Sequence, residues 1–231
     1  MRVCKRSGAA LATAVPFLVL LLAGCSPLQQ FKSHWSDQDY RWIAARQIEC
    51  SPAEPECSQL HLIKGDACYR LASRRGPQQR SYLKCAATHL ARGIRMTESW
   101  QVGSLDLERT RTYINLCETL RSLRDMRTGA SAERAARELL RTARELRSLE
   151  PDHPASVYYA GSARYALLQP ELLDPSHPGQ ACAELRSILN DLRGAAPGAR
   201  NTEFEPLLQR LRLDVRGAMQ TLPDCPPPPS G

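Results

Sequence analysis

Cysteine and histidine are the side chains of this sequence whose spacing could do chemistry. Cys50 and Cys57 flank a proline-containing turn over residues 51–56, while Cys182 and Cys225 stand near the start of one helical pattern and just past the end of the next. Thiols so placed can close bridges, the first pair around a small loop and the second across antiparallel helices. Cys68, Cys85 and Cys117 compete for one further bridge, and spacing does not settle which two win. His61 follows Cys57 by one helical turn, but no recognised spacing supplies the fourth donor of a structural zinc site, so no metal and no cofactor are expected. His153 and His177 each precede a proline and read as turn residues, and His61 and His89 fall at the wet edges of helical patterns. The sequence has no glycine-rich phosphate loop, no Gly-x-Ser-x-Gly elbow, no His-Glu-x-x-His and no Cys-x-x-Cys-His, and it is not read as an enzyme.

The densest basic feature is a run of arginines at helical spacing: Arg134, Arg137, Arg141, Arg144 and Arg147. Glu133 with Arg137 and Arg141 with Glu145 are four residues apart and can pair along a solvated face, each pair contributing about 0.2–0.5 kcal/mol. A groove gripping an acidic partner is the functional alternative. Tyr158, Tyr159 and Tyr165 pose a similar choice between filling gaps between helices and presenting rings to a ligand. Arg134, Arg137, Arg141 and Arg144, with Tyr158 and Tyr159, are therefore the candidate partner-contact residues.

The first 25 residues carry a different signal. Arg2, Lys5 and Arg6 precede an apolar run over residues 9–23, interrupted by Pro16 and closing on Leu22-Ala23-Gly24-Cys25. That run is shorter than the ~20 residues a spanning helix needs. Its order resembles the signal and lipobox of bacterial lipoproteins, which implies removal of residues 1–24 and lipid, palmitate included, on Cys25. An anchor of several acyl chains holds almost permanently, each buried methylene contributing about 0.8 kcal/mol. In that family an aspartate after the cysteine favours the inner membrane. Ser26 stands there instead, which implies the periplasmic face of the outer membrane. Loss of residues 1–24 removes three of the 31 basic residues and none of the 24 acidic ones, so the formal charge falls from +7 to +4. Such a mild excess, interleaved with acids, does not suggest nucleic-acid binding. An exported chain also fits structural bridges, and seven cysteines beyond Cys25 leave one without a partner.

The elements that must position these groups read as helices. Three phenylalanines and three tryptophans stand against abundant Leu, Ala and Arg, which favours helix over sheet. Residues 25–35 read as a lipidated tether. Ser36 and Asp39 have capping-box spacing and open a predicted helix over 36–48. Apolar residues then recur at three- and four-residue steps: Leu60, Ile63, Ala67 and Leu71; Leu83, Ala86, Leu90 and Ile94; Tyr113, Leu116, Leu120 and Leu123 within 105–126; and Ala132, Ala136, Leu139, Ala143 and Leu146. Val157, Gly161, Tyr165 and Leu168 continue the pattern, as do Ala181, Leu185, Ile188 and Leu192 and, over 204–222, Phe204, Leu208, Leu211, Val215 and Leu222. Residues 223–231 form a proline-rich, exposed tail.

Residues 146–154, with Pro151 and Pro154, followed by Tyr158, Tyr159, Gly161 and Tyr165, resemble the junction between tetratricopeptide repeats. Gly65, Tyr69, Tyr82 and Cys85 match more loosely. The helical pattern gives an all-α domain over 36–222, and the resemblance, over about 58–222, implies antiparallel hairpins at 58–95, 105–149 and 154–193 and a terminal helix. The hairpins would stack as a short solenoid; an irregular helical bundle is the other architecture. Gly161 would face a neighbouring backbone. Such surfaces bind peptides or proteins, so a membrane-anchored scaffold or adaptor in envelope assembly, secretion or cell-wall regulation is expected. The alternative is a solute-handling, helical-repeat lipoprotein associated with a tripartite transporter.

Overall fold

The computed structural model of the chain describes residues 26–74, 76–97, 107–173, 177–222 and 225. The expected signal, Cys25 and the tail beyond Cys225 lie outside the described residues. The described part is all-α: α1 (Pro27–Ser36), α2 (Tyr40–Ala45), α3 (Pro55–Ala72), α4 (Gln79–Met96), α5 (Arg109–Asp125), α6 (Gly129–Leu149), α7 (Pro154–Leu173), α8 (Pro178–Ala199) and α9 (Phe204–Thr221). Among the described residues there is no strand.

Caps explain where the N-terminal helices differ from expectation. The tether expected over 25–35 is helix α1: Ser26 accepts the Gln29 N–H and Pro27 occupies the first turn, where a missing N–H costs nothing. Leu28 and Phe31 of α1 are buried. Ser36 does not open a helix; its hydroxyl donates to the Lys32 carbonyl, and the chain turns through Gln38 at φ 58°. Asp39 is the cap instead, accepting the Trp42 N–H, and α2 ends at Ala45 because Arg46 is extended. The helix expected from residue 105 begins at Arg109.

Each helix packs on its successor, and α3, α5, α7 and α9 also touch in series. Within the α3–α4 hairpin, Cys68 is bridged to Cys85 and Gly65 meets Leu90 while Gly93 meets Leu62, an antiparallel register. Backbones are closest here: a Cβ on Gly65 would stand 2.7 Å from the Leu90 nitrogen, and one on Gly93 would stand 3.0 Å from the Leu62 nitrogen. Gly161 does not have the expected backbone neighbour. A Cβ there would meet only side chains, Leu211 at 3.3 Å and Leu192 at 3.5 Å. The tight approach belongs to α3–α4, where Gly65 and Gly93 stand opposite the backbones of Leu90 and Leu62, whereas Gly161 on α7 rests on leucine and isoleucine side chains of α8 and α9.

Two large apolar clusters result. Leu139, Leu146, Leu185, Ile188, Leu192, Val215 and Met219 centre the one that runs through α4–α9. Phe31, Tyr40, Ile43, Leu62 and Ile63 centre the smaller one around α1–α3.

Candidate functional site

The arginines of α6 lie where their spacing puts them. Arg134, Arg137, Arg141, Arg144 and Arg147 are all exposed. Arg137 pairs with Glu133 at 2.5 Å, Arg141 reaches Glu138 at 3.5 Å and Glu145 at 3.9 Å, and Arg147 reaches Asp191 on α8 at 3.8 Å. Arg144 lines a shallow hollow with Leu140, Arg164, Glu184 and Asp191, in which Arg164 already binds both carboxylates. This face is largely self-neutralised. The tyrosines are not surface groups: Tyr158 is 7% exposed and Tyr159 3%, their rings pack against Phe204, and the Tyr159 hydroxyl donates to Glu118. Burial holds both phenols above their ordinary pKa, Tyr159 far above. As partner contacts they are withdrawn, because the close stacking of α7 on α5 and α9 encloses them.

A more open arrangement lies at the other end of these helices. The first turn of α5, the α6–α7 turn and the α8–α9 turn surround a cleft of about 750 Å³. Ile114, Phe204, Pro151 and Pro154 supply its apolar surface. Glu108, Glu150, Asp152 and Glu203 bring four carboxylates against one guanidinium, Arg111, which donates to Glu203 at 3.2 Å. Thr110 donates to Glu150, and His153 accepts the Ala155 N–H through Nδ1, a bond that only an unprotonated Nδ1 can accept. The cleft is therefore net acidic.

Glu108 and Arg111 also line a second hollow, about 390 Å³, with Asp66, Tyr69, Arg70 and Asn115. Asp66 is 1% exposed and organises that wall: its carboxylate accepts from Trp35 at 2.9 Å, Arg70 at 2.6 Å and Asn115 at 3.2 Å. The Asn115 Oδ1, itself buried, has no partner. An unpaired buried acceptor is costly, and a ligand N–H would satisfy it. Together the two hollows run from α3 across the start of α5 to the start of α9. Sequence reasoning passed over Asp66 and Asn115. The available signal was a carboxylate and an amide in the midst of otherwise apolar helical stretches, where burial demands a partner.

Titratable groups also gather between α3 and α4. His61, 2% exposed, joins the partly exposed His89 through their Nδ1 atoms at 2.7 Å, so His61 does not occupy the wet edge expected of it. Burial, with Lys64 and Arg92 nearby, lowers both histidines to about 4, and the pair is neutral at ordinary pH. The surprise has a geometric cause, since α3 has neighbours on every side and keeps no wet edge at this level. Cys50 and Cys57 are bridged beside His61, and Cys182 is bridged to Cys225. Cys117 is the buried free thiol, its pKa raised well above the usual value by burial.

No known protein family, curated protein or solved structure matches the chain.

Proposed function

We propose that this protein is a lipid-anchored adaptor on the periplasmic face of the outer membrane, and that its acidic cleft binds an extended peptide segment carrying Lys or Arg beside apolar residues. The cleft carries the reading. Its carboxylates complement a cationic side chain, and Ile114 and Phe204 offer apolar contact. The starts and turns of two successive hairpins and of the terminal helix frame it, so it can receive a chain running across the helices. The lipobox-like ending at Cys25 supports the anchor, and labelling with radioactive palmitate, lost in Cys25→Ser, tests that part separately.

For the cleft, the measurement is fluorescence anisotropy with short labelled peptides alternating Lys and Leu, compared with the same peptides carrying Glu for Lys. Lys peptides should bind and Glu peptides should not. The double reversal Glu150→Arg and Asp152→Arg should weaken Lys-peptide binding at least tenfold, while Arg137→Glu on α6 should leave it unchanged. Equal binding of Lys and Glu peptides, or loss on Arg137→Glu alone, would remove the cleft from its role.

A further inference from the structure

We propose that, once its bridge is reduced to a dithiol, the Cys50 and Cys57 pair binds one copper(I) ion together with His61. One ligand atom from each of the three residues lies within 4.8 Å of the other two. Donors about 2.0–2.3 Å from a d10 ion stand about 3.5–4 Å apart around it, so the cluster needs only a small opening. Cys50 lies outside α3, on the far side of the turn 51–56, and can make that movement.

The donors are prepared for a soft cation. Cys57 and His61 are four residues apart on α3 and share a face. Of the two His61 nitrogens, Nδ1 is engaged with His89 while Nε2 is buried without any partner. A proton on His61 Nδ1 donated to His89 Nδ1 leaves the Nε2 lone pair free to coordinate, the outer-sphere arrangement common among metal-bound imidazoles. Cys57 sits in the first turn of α3, where the helix N-terminus favours a thiolate. Two thiolates, one imidazole and copper(I) carry a net charge of −1, and Lys64 and Arg92 supply positive charge beside the histidines. Thiolate sulfur favours copper(I), and three donors suffice for that ion, whereas structural zinc would want a fourth.

The bridge also offers a way in. Cys57 is fully buried, but Cys50 is partly exposed, so an external dithiol can attack the Cys50 sulfur and expel the Cys57 thiolate. The donor leaves as its own disulfide, and the protein gains two electrons and two protons. Copper(I) then displaces a proton from each thiol. The bridged form has no thiolate to offer and does not bind, so copper affinity follows the redox state of this pair.

The test uses the detergent-solubilised full chain, reduced anaerobically with dithiothreitol, freed of reductant and titrated with the copper(I) complex of bicinchoninate. One equivalent should transfer, and X-ray absorption should find two sulfurs and one nitrogen around it. Bound copper should shield Cys50 and Cys57 from iodoacetamide in mass mapping. His61→Ala should weaken binding at least tenfold, and His89→Ala about 10- to 100-fold with stoichiometry kept. The unreduced protein should take up none. Copper held by sulfur alone, shielding of other cysteines in place of this pair, unchanged affinity in His61→Ala, or displacement by equimolar zinc would each overturn the proposal. Because the absorption spectrum is read on the unmutated chain, misfolding of a variant does not blur the outcome.

Discussion

The two halves of this molecule bury their helices by different means. Around α3 the interior holds His61, Lys64, Asp66 and Asn115, each tied to a partner, and two of the three bridges among the described residues lie there. Around α7–α9 the interior is dominated by leucine, isoleucine, valine and methionine, with Tyr158, Tyr159 and Phe204 and the small polar Ser156 and Ser162 among them, and the Cys182–Cys225 bridge at its edge. Apolar packing is forgiving in direction but sensitive to volume. A hydrogen-bonded polar interior is the reverse, since each member has few acceptable positions and a lost partner strands a desolvated group. The first half therefore gains definition, and the cleft draws one wall from it, while the second half gains bulk.

The sharpest way to break this contrast is to delete one member from each interior. Asp66→Ala strands the donors of Trp35, Arg70 and Asn115 and should cost about 3–5 kcal/mol. Leu192→Ala removes volume alone and should cost about 2–5 kcal/mol. Denaturant unfolding measures both. A second deletion beside each should separate them further: Asn115→Ala should add little once Asp66 is gone, whereas Leu185→Ala should add to Leu192→Ala. Strict additivity at Asp66 and Asn115 would dissolve the idea of a polar unit.

Bridge removal comes next. The sequence separations are 43 for Cys182 with Cys225, 17 for Cys68 with Cys85 and 7 for Cys50 with Cys57. Loop-closure entropy then gives about 4, 3 and 2.4 kcal/mol in that order for paired alanine replacements. A larger loss for the shortest loop would mean that the bridge shapes the folded α3 end directly.

Glycines give a smaller and more local contrast. Gly65→Ala drives a methyl into the Leu90 backbone and should cost about 1–3 kcal/mol. Gly161→Ala meets the methyls of Leu211, Leu192 and Ile188, and alanine's gain in helix propensity of about 1 kcal/mol offsets the crowding, so its melting temperature should stay near that of the native chain. Smallest of all, Arg137→Glu with Arg141→Glu on the exposed face of α6 should shift stability by less than about 0.5 kcal/mol.

What could be read from the sequence follows the same division. Helices α4, α6, α8 and α9 were legible because each buries one stripe, so Leu, Ala and Ile recur at the helical period. The cysteines flanking a short turn, or ending successive helices, were legible as pairs for the same reason: near neighbours in an alternating fold meet. Helix α3 was not fully legible. Surrounded by four others, it buries residues all round, and its period says nothing about which face holds His61 or Asp66. The choice among Cys68, Cys85 and Cys117 depended on that unreadable packing, since the approach of Gly65 to Leu90 brings Cys68 against α4. Asp39 illustrates a smaller ambiguity, for a residue suited to the third position of a capping box can be the cap itself. The cleft was hidden for another reason. Its carboxylates sit on three separate connections, and only the return of α7 and α9 to one end of α5 brings them together.

The order of the cysteines along the chain has a consequence for how the chain reaches this state. A chain delivered N-terminus first presents Cys50 and Cys57, then Cys68 and Cys85, and each newcomer finds its correct partner already waiting as its nearest predecessor. Cys117 arrives when none is left. In the folded chain it lies buried on α5, against which α6 and α7 pack, and Cys182 and Cys225 pair with each other. Pairing in order of arrival would give the three bridges of the described residues if Cys117 is buried before Cys182 appears, whereas a chain refolding all at once from the reduced state would have to find the same answer among many.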